Sequence, residues 1–216
     1  MTKAPLIGIE RLRLGSDGHG ITTLVAFHGC PLRCLYCLNP QCHSAQYKER
    51  TMTPEEVMAI LRKDELYYIA TKGGVTFGGG EPLLYSQFIK EVLNLGASEW
   101  NVTIETSLNV DRKALETLTP YLDFYLVDIK DMNSIIYKRY TGRDNRTVLS
   151  NLQYLIDLGL AEKIKCRVPL IPDYNDSDSQ KQSLEILTKM GIKNIEIFTY
   201  QKDIAYERKR KMRVLA

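Results

Sequence analysis

The chain has 216 residues, 44% of them hydrophobic, which is enough for one well-formed core and short for two. Its formal net charge is +3, but Arg208, Lys209, Arg210, Lys211 and Arg213 all stand in the tail, leaving 24 of the 29 basic residues against 26 acidic ones. The body thus has no electrostatic footprint for nucleic acid, no run approaches the roughly 18 apolar residues of a spanning helix, and MTKAPLIGIERLRLG lacks a leader's apolar segment.

Four of the five cysteines, Cys30, Cys34, Cys37 and Cys42, fall within thirteen positions, and only Cys166 lies beyond them. Such clustering does not staple distant segments as a disulfide framework does. The thiols are therefore expected to be reduced, for metal or catalysis, in a cytoplasmic protein. One domain is expected over 1–216, with a core from about 20 to 200, a short lead and a basic tail.

After the lead, ITTLVAF (21–27) reads as the first of six apolar, β-branched runs, and the cysteine loop follows it directly. TPEEVMAILRKDELYYIA (53–70) then carries Val57, Ile60 and Leu61 at helical spacing, with Thr53 as N-cap, Pro54 in the first turn and Glu56 closing a capping box. GVTFG (74–78) runs into the glycine-rich turn GGGEP (78–82), and an amphipathic stretch spans about 86–95. NVTIETS (101–107) and FYLVDIK (124–130) flank a helical stretch over 111–119, and another covers 147–158. KIKCRVPLI (163–171), a helix over 178–190 and NIEIFTY (194–200) complete the order. Strands alternating with helices predict right-handed βαβ units, hence a parallel sheet covered by outer helices. Six units fall short of the eight that close a barrel. The expected fold is α/β, an open partial (β/α)6 barrel whose ligands gather at the carboxyl ends of its strands.

Cys30, Cys34 and Cys37 follow that end of the first strand, at spacings that share one helical face. A helix burying three small side chains would explain them, but Gly29, Pro31 and Pro40 favour an irregular loop on which thiolates converge. Four close cysteines suit a structural zinc. One loop of thiols suits an iron–sulfur cluster, and three ligands to four irons leave one iron open for catalysis. Cys42 and His43 read as a packed thiol beside a surface histidine, with a second metal pair as the alternative. In GGGEP, glycines let the backbone approach a ligand closely. Asp128 and Lys130 project from one face of their strand, opposite Val127 and Ile129, while Arg167 points away from Ile164, Cys166 and Val168. Charges in an apolar parallel strand are costly unless paired or used, which places these three at the barrel mouth. There the arginine fork suits a carboxylate.

The run CPLRCLYC, with Tyr36 before its third cysteine, resembles the Cys-x3-Cys-x2-Cys signature of the radical S-adenosylmethionine (SAM) superfamily. The resemblance implies that Cys30, Cys34 and Cys37 bind a 4Fe-4S cluster, that Cys42 does not, and that Gly79, Gly80 and Glu81 hold the amino end of SAM. Over roughly 8–200, the segments SDGHG, GCPLRCLYCLNP, GGGEP, ETS, LVDIKD and CRVPLIP look most like activating enzymes of glycyl radical enzymes, of the compact pyruvate formate-lyase type. That likeness implies that Tyr36, Asp128 and Lys130 lie at SAM, where Arg167 is also expected. It further implies a monovalent cation at Glu105, Thr106 and Asp128, with a backbone carbonyl near Leu126.

The implied reaction begins with an electron from flavodoxin or ferredoxin, cleaves SAM to methionine and a 5′-deoxyadenosyl radical, and takes a hydrogen from one glycine of a partner glycyl radical enzyme. Modification of a ribosomal peptide, activation of an anaerobic ribonucleotide reductase, an iron–sulfur electron carrier and a zinc-binding interaction module are the alternatives. GGGEP and the strand-end charges weigh against a carrier, which needs no second ligand site. A monomer acting on protein or peptide, without nucleic acid or membrane, is expected. The chain also departs from the family pattern. DGHGIT stands where DGPGIR is usual, so His19 replaces a proline and Thr22 an arginine, and both are expected to alter how the cysteine loop docks. Glu105 replaces an aspartate, Ser107 an asparagine and Gln201 a histidine. With Cys166 alone beyond Cys42, accessory ferredoxin-like clusters are not expected.

Overall fold

The structure, a computed structural model, describes residues 2–15, 17–44, 50–97 and 99–200, so the expectations for Gln201 and the basic tail lie outside the described residues. The strands are β1 (Ala4–Leu14), β2 (Ile21–Phe27), β3 (Arg50–Met52), β4 (Gly74–Gly79), β5 (Asn101–Thr106), β6 (Phe124–Asp128), β7 (Ile164–Leu170) and β8 (Asn194–Thr199). They form one open sheet in the order β3-β1-β2-β4-β5-β6-β7-β8. The parallel part, β2 and β4 to β8, consists of the six expected strands in sequence order. The lead differs from expectation: β1 pairs antiparallel with β2 and with β3, extending the sheet on the β2 side. Its first residues, Ala4 and Leu6, are buried, and the pairing covers an edge that β2 would otherwise leave open.

The helices are α1 (Pro54–Leu61), α2 (Glu65–Thr71), α3 (Ser86–Asn94), α4 (Arg112–Leu118), α5 (Ser134–Thr141), α6 (Arg146–Asp157) and α7 (Ser177–Lys189). Thr53 and Glu56 make the expected capping box, with Thr53 N donating to Glu56 at 2.8 Å. The single helix expected over 53–70 is instead broken by a 3-10 turn at Arg62–Asp64. Asp64 is buried there as the partner of Arg11 from β1, at 2.6 and 2.7 Å. α5 was not expected; Asn133 caps it by accepting from Ile135 N at 2.9 Å, and Gly142 ends it in the left-handed region. Its last residue matters to the site, because Arg33 N donates to the Thr141 carbonyl at 2.8 Å and so seats the cysteine loop on the end of α5.

Strand alternation divides two environments. Val25, Phe27, Val75, Phe77, Ile104, Val127 and Val168 turn outward and are buried with Val57, Leu61, Ile89, Val92, Leu115 and Leu152 of the helices. Each such side chain contributes about 1.5–3 kcal/mol on burial. The opposite face carries Glu105, Asp128 and Arg167 into the barrel interior. His19 and Thr22 do not lie near the cysteine loop: they sit at the amino end of β2, about 20 Å away at ~3.3 Å per residue along a seven-residue strand. An effect of those two positions on loop docking is therefore not direct. Among the described residues, no helix is long and apolar enough to cross a membrane.

Candidate active site

β2 ends with Phe27 in the core, stacked on Tyr85 with ring centroids 5.1 Å apart, and the chain leaves the sheet into the cysteine loop. Backbone hydrogen bonds stitch this loop to GGGEP. Gly80 N donates to the Phe27 carbonyl at 2.9 Å, Glu81 N to Gly29 at 2.8 Å, and Gly29 N to Cys42 at 2.9 Å. Asn39 Nδ2 adds a bond to the Gly79 carbonyl at 2.9 Å. A Cβ on Gly80 would lie 2.1 Å from the Gly29 carbonyl oxygen, and Gly79 has φ +92°, so both positions require glycine for this approach.

The two loops and the strand ends enclose a cavity of about 210 Å³, lined among others by Cys30, Cys34, Cys37, Cys42, Gly79, Gly80, Asp128, Lys130 and Arg167. Burial pushes the Cys30 thiol up to about 12, with the charge of Glu81 adding to the shift, and burial pushes Cys34 up to about 11. Cys37 differs. A hydrogen bond from the Cys42 thiol, aided by His43 and opposed by burial, holds Cys37 down at about 4, and the donating Cys42 is raised. Cys42 is buried as expected, but with His43 it reaches Cys37 rather than merely packing beside it.

Glu81 is fully buried and its carboxylate accepts from Thr106 Oγ1 at 2.7 Å, Ser107 Oγ at 2.7 Å, Ser107 N at 3.0 Å and Leu83 N at 3.4 Å. Burial raises its pKa despite these donors. The side chain thus ties GGGEP to the end of β5, and what the turn presents to the cavity is the backbone of Gly79 and Gly80.

Across the cavity, Asp128 binds Arg167 Nε at 2.7 Å and Lys130 Nζ at 2.9 Å through separate oxygens. Arg167 also pairs with Glu105, and Lys130 Nζ donates to Tyr200 Oη at 3.0 Å. One oxygen each of Glu105 and Asp128, residues expected at a monovalent cation, therefore faces the Arg167 guanidinium, the second Asp128 oxygen faces Lys130, and Thr106 Oγ1 donates to Glu81. Tyr36 lies behind the loop: its hydroxyl donates to Asp173 at 2.9 Å and its ring meets Tyr140 and Tyr174 edge-on at 6.1 and 5.7 Å.

Burial pushes the Asp128 carboxyl up, and the charges of Arg167 and Lys130 outweigh it, so the group titrates below its ordinary ~3.9. A depressed carboxylate contributes stability that is complete above its unfolded value and lost as pH falls through the folded one. Unfolding of the chain and of Asp128→Asn should therefore differ by a constant amount down to about pH 4 and converge below it. A gap that is already closed at about pH 5 would contradict the pairing.

Three thiols on one loop, a glycine backbone cradle and paired charges of both signs fit a thiolate-bound cluster with an amino-acid ligand beside it. The model of the Radical SAM superfamily matches residues 24–181, and the chain belongs to this superfamily. Its relatives narrow the comparison. The indoleacetate decarboxylase activating enzyme of Tractidigestivibacter scatoligenes is 37% identical, over 75% of this chain and 72% of its own. The pyruvate formate-lyase-activating enzyme of Clostridium pasteurianum is 34% identical, over 83% of this chain and 74% of its own. Streptococcus suis SuiB bound to S-adenosylmethionine superposes with a TM-score of 0.62 at 18% identity, covering 82% of this chain and 42% of that one, which is a likeness of fold. The chain is thus a radical SAM enzyme similar to activating enzymes of glycyl radical enzymes, and the family implies a 4Fe-4S cluster and SAM.

Tyr200, Ser107 and Asn39 were not singled out as site residues. Tyr200 ends the last expected strand at its carboxyl end, the one signal that pointed to it.

Proposed function

We propose that the chain activates a glycyl radical enzyme. The observation that carries this reading is the similarity to activating enzymes over most of the chain, including a 34% identical match that runs 181 residues across 83% of it. The cavity supports it: Cys30, Cys34 and Cys37 would hold the cluster, the Gly79–Gly80 backbone the amino group of SAM, and Lys130 and Arg167 its carboxylate side. When bound, the cluster supplies the electron that cleaves SAM to methionine and a 5′-deoxyadenosyl radical. The chain's own residues orient the sulfonium through charges already paired and therefore fixed in place. A glycine Cα of the partner then gives up its hydrogen atom, leaving 5′-deoxyadenosine and a glycyl radical. A flavodoxin- or ferredoxin-type donor and a cytoplasmic setting complete the reading, since reduced thiols are required.

Mixing the reduced enzyme and SAM with its cognate glycyl radical enzyme should produce a glycine-centred doublet in electron paramagnetic resonance. SAM cleavage without that doublet, together with modification of a neighbouring precursor peptide, would replace activation by peptide maturation.

A further inference from the structure

Cluster binding by three cysteines leaves Cys42 and His43 unused, yet both are placed with care. A short 3-10 turn, Pro40–His43, carries them; Cys42 N donates to the Asn39 carbonyl at 3.0 Å, and the Cys42 carbonyl accepts from Gly29. Cys42 is 2% exposed. One ligand atom each of Cys37, Cys42 and His43 lies within 4.8 Å of the other two. Ligands about 2.0–2.3 Å from a common tetrahedral ion stand no more than about 4 Å apart, so small shifts would bring this trio onto one ion. Thiolates at different corners of a cluster bind different irons and are spread wider. The spacing of this trio, within 4.8 Å, is nearer to that of ligands to a single ion.

We propose that, in the chain free of its cluster, Cys37, Cys42 and His43 bind one thiophilic divalent cation of the zinc class. Both thiols bind as thiolates, releasing their protons to solvent as the ion enters. Water takes the fourth position. Cys37 belongs to both sites, so the ion and the cluster exclude each other; this exclusion rests on the three-cysteine cluster reading, whereas the ion site does not. Cys30 and Cys34 serve the cluster alone, and Cys42 and His43 the ion alone. Arg33 opposes the ion, because its guanidinium donates to His43 Nδ1 and sets a positive charge beside the site. Arg33 is exposed, and the same guanidinium donates to the Cys30 carbonyl at 3.0 Å, so the ion's entry costs the His43 contact while that backbone bond can remain.

The full chain, stripped of iron anaerobically, is titrated with cobalt(II) as the probe. One ion per chain should bind with the charge-transfer intensity of two thiolates and a four-coordinate visible spectrum. Cys42→Ala and His43→Ala should each weaken binding by tenfold or more, at the scale on which even supporting residues matter. Cys30→Ala and Cys34→Ala should leave it unchanged, and Arg33→Met should tighten it. Reconstitution with iron and sulfide should show the reverse pattern, failing in the Cys30 and Cys34 variants and succeeding in those of Cys42 and His43. Cobalt binding that needs Cys30 or Cys34, a three-thiolate spectrum, or indifference to Cys42 and His43 would each overturn the proposal. Reconstitution that fails only when Cys42 is replaced would overturn the three-cysteine cluster reading instead.

Discussion

Replacing Cys30, Cys34 or Cys37 with alanine should each reduce the iron of the reconstituted chain from about four atoms to nearly none, because three thiolates are the smallest anchor for such a cluster. The loss should be abrupt. All three thiols line one cavity; Cys42 also lines it but is carried on the Pro40–His43 turn against Cys37, and Cys166 is buried on the outward, core-facing side of β7. Cys42→Ala should retain the iron. Equal loss in the Cys42 variant would contradict the assignment, and so would full iron in any of the other three.

Lys130→Ala and Asp128→Ala should lower SAM affinity roughly ten- to a hundredfold with iron content unchanged, since a hydrogen bond to a charged group is worth about 1.5–3 kcal/mol. The two variants should differ in stability. Lys130 and Arg167 have side chains only 8% and 19% exposed, and Asp128 pairs with both, while Arg167 pairs with Glu105 as well. Removal of Asp128 strands the largely buried Lys130, at a cost of about 3–5 kcal/mol, and leaves Arg167 on Glu105, whereas loss of Lys130 leaves Asp128 still paired with Arg167. Calorimetric titration with SAM, alongside denaturant unfolding, separates the two effects. Wild-type affinity in either variant would remove that residue from the SAM site.

The parallel half of the fold was legible because each of its strands is a compact apolar run between turn residues, and the alternation in FYLVDIK and KIKCRVPLI showed which side chains turn inward. β1 was not read, although LIGIERLRL alternates in part, because its outer half is exposed and its charged residues diluted the signal. The break between α1 and α2 follows from the long-range Arg11–Asp64 pair, which no local pattern records. α5 was hidden in a short run whose clear mark, Asn133 as a cap, is common in loops. At the site, motifs pointed to the two loops that meet at the cavity but not to the direction of every side chain. Glu81 is the instructive residue: its place in GGGEP suggested a ligand contact, while Thr106 and Ser107, twenty-five residues further along, draw its carboxylate into the core. Cys42 shows the same limit, since its distance from Cys37 is set by the turn at Pro40 rather than by spacing.

The central claim is that this cavity cleaves SAM reductively. Anaerobic incubation of the reconstituted, chemically reduced chain with SAM, followed by quantification of 5′-deoxyadenosine and methionine, tests it most directly. The account predicts both products in equal amounts, dependent on Cys30, Cys34 and Cys37. A chain that holds about four irons and binds SAM, yet releases no 5′-deoxyadenosine, would contradict it.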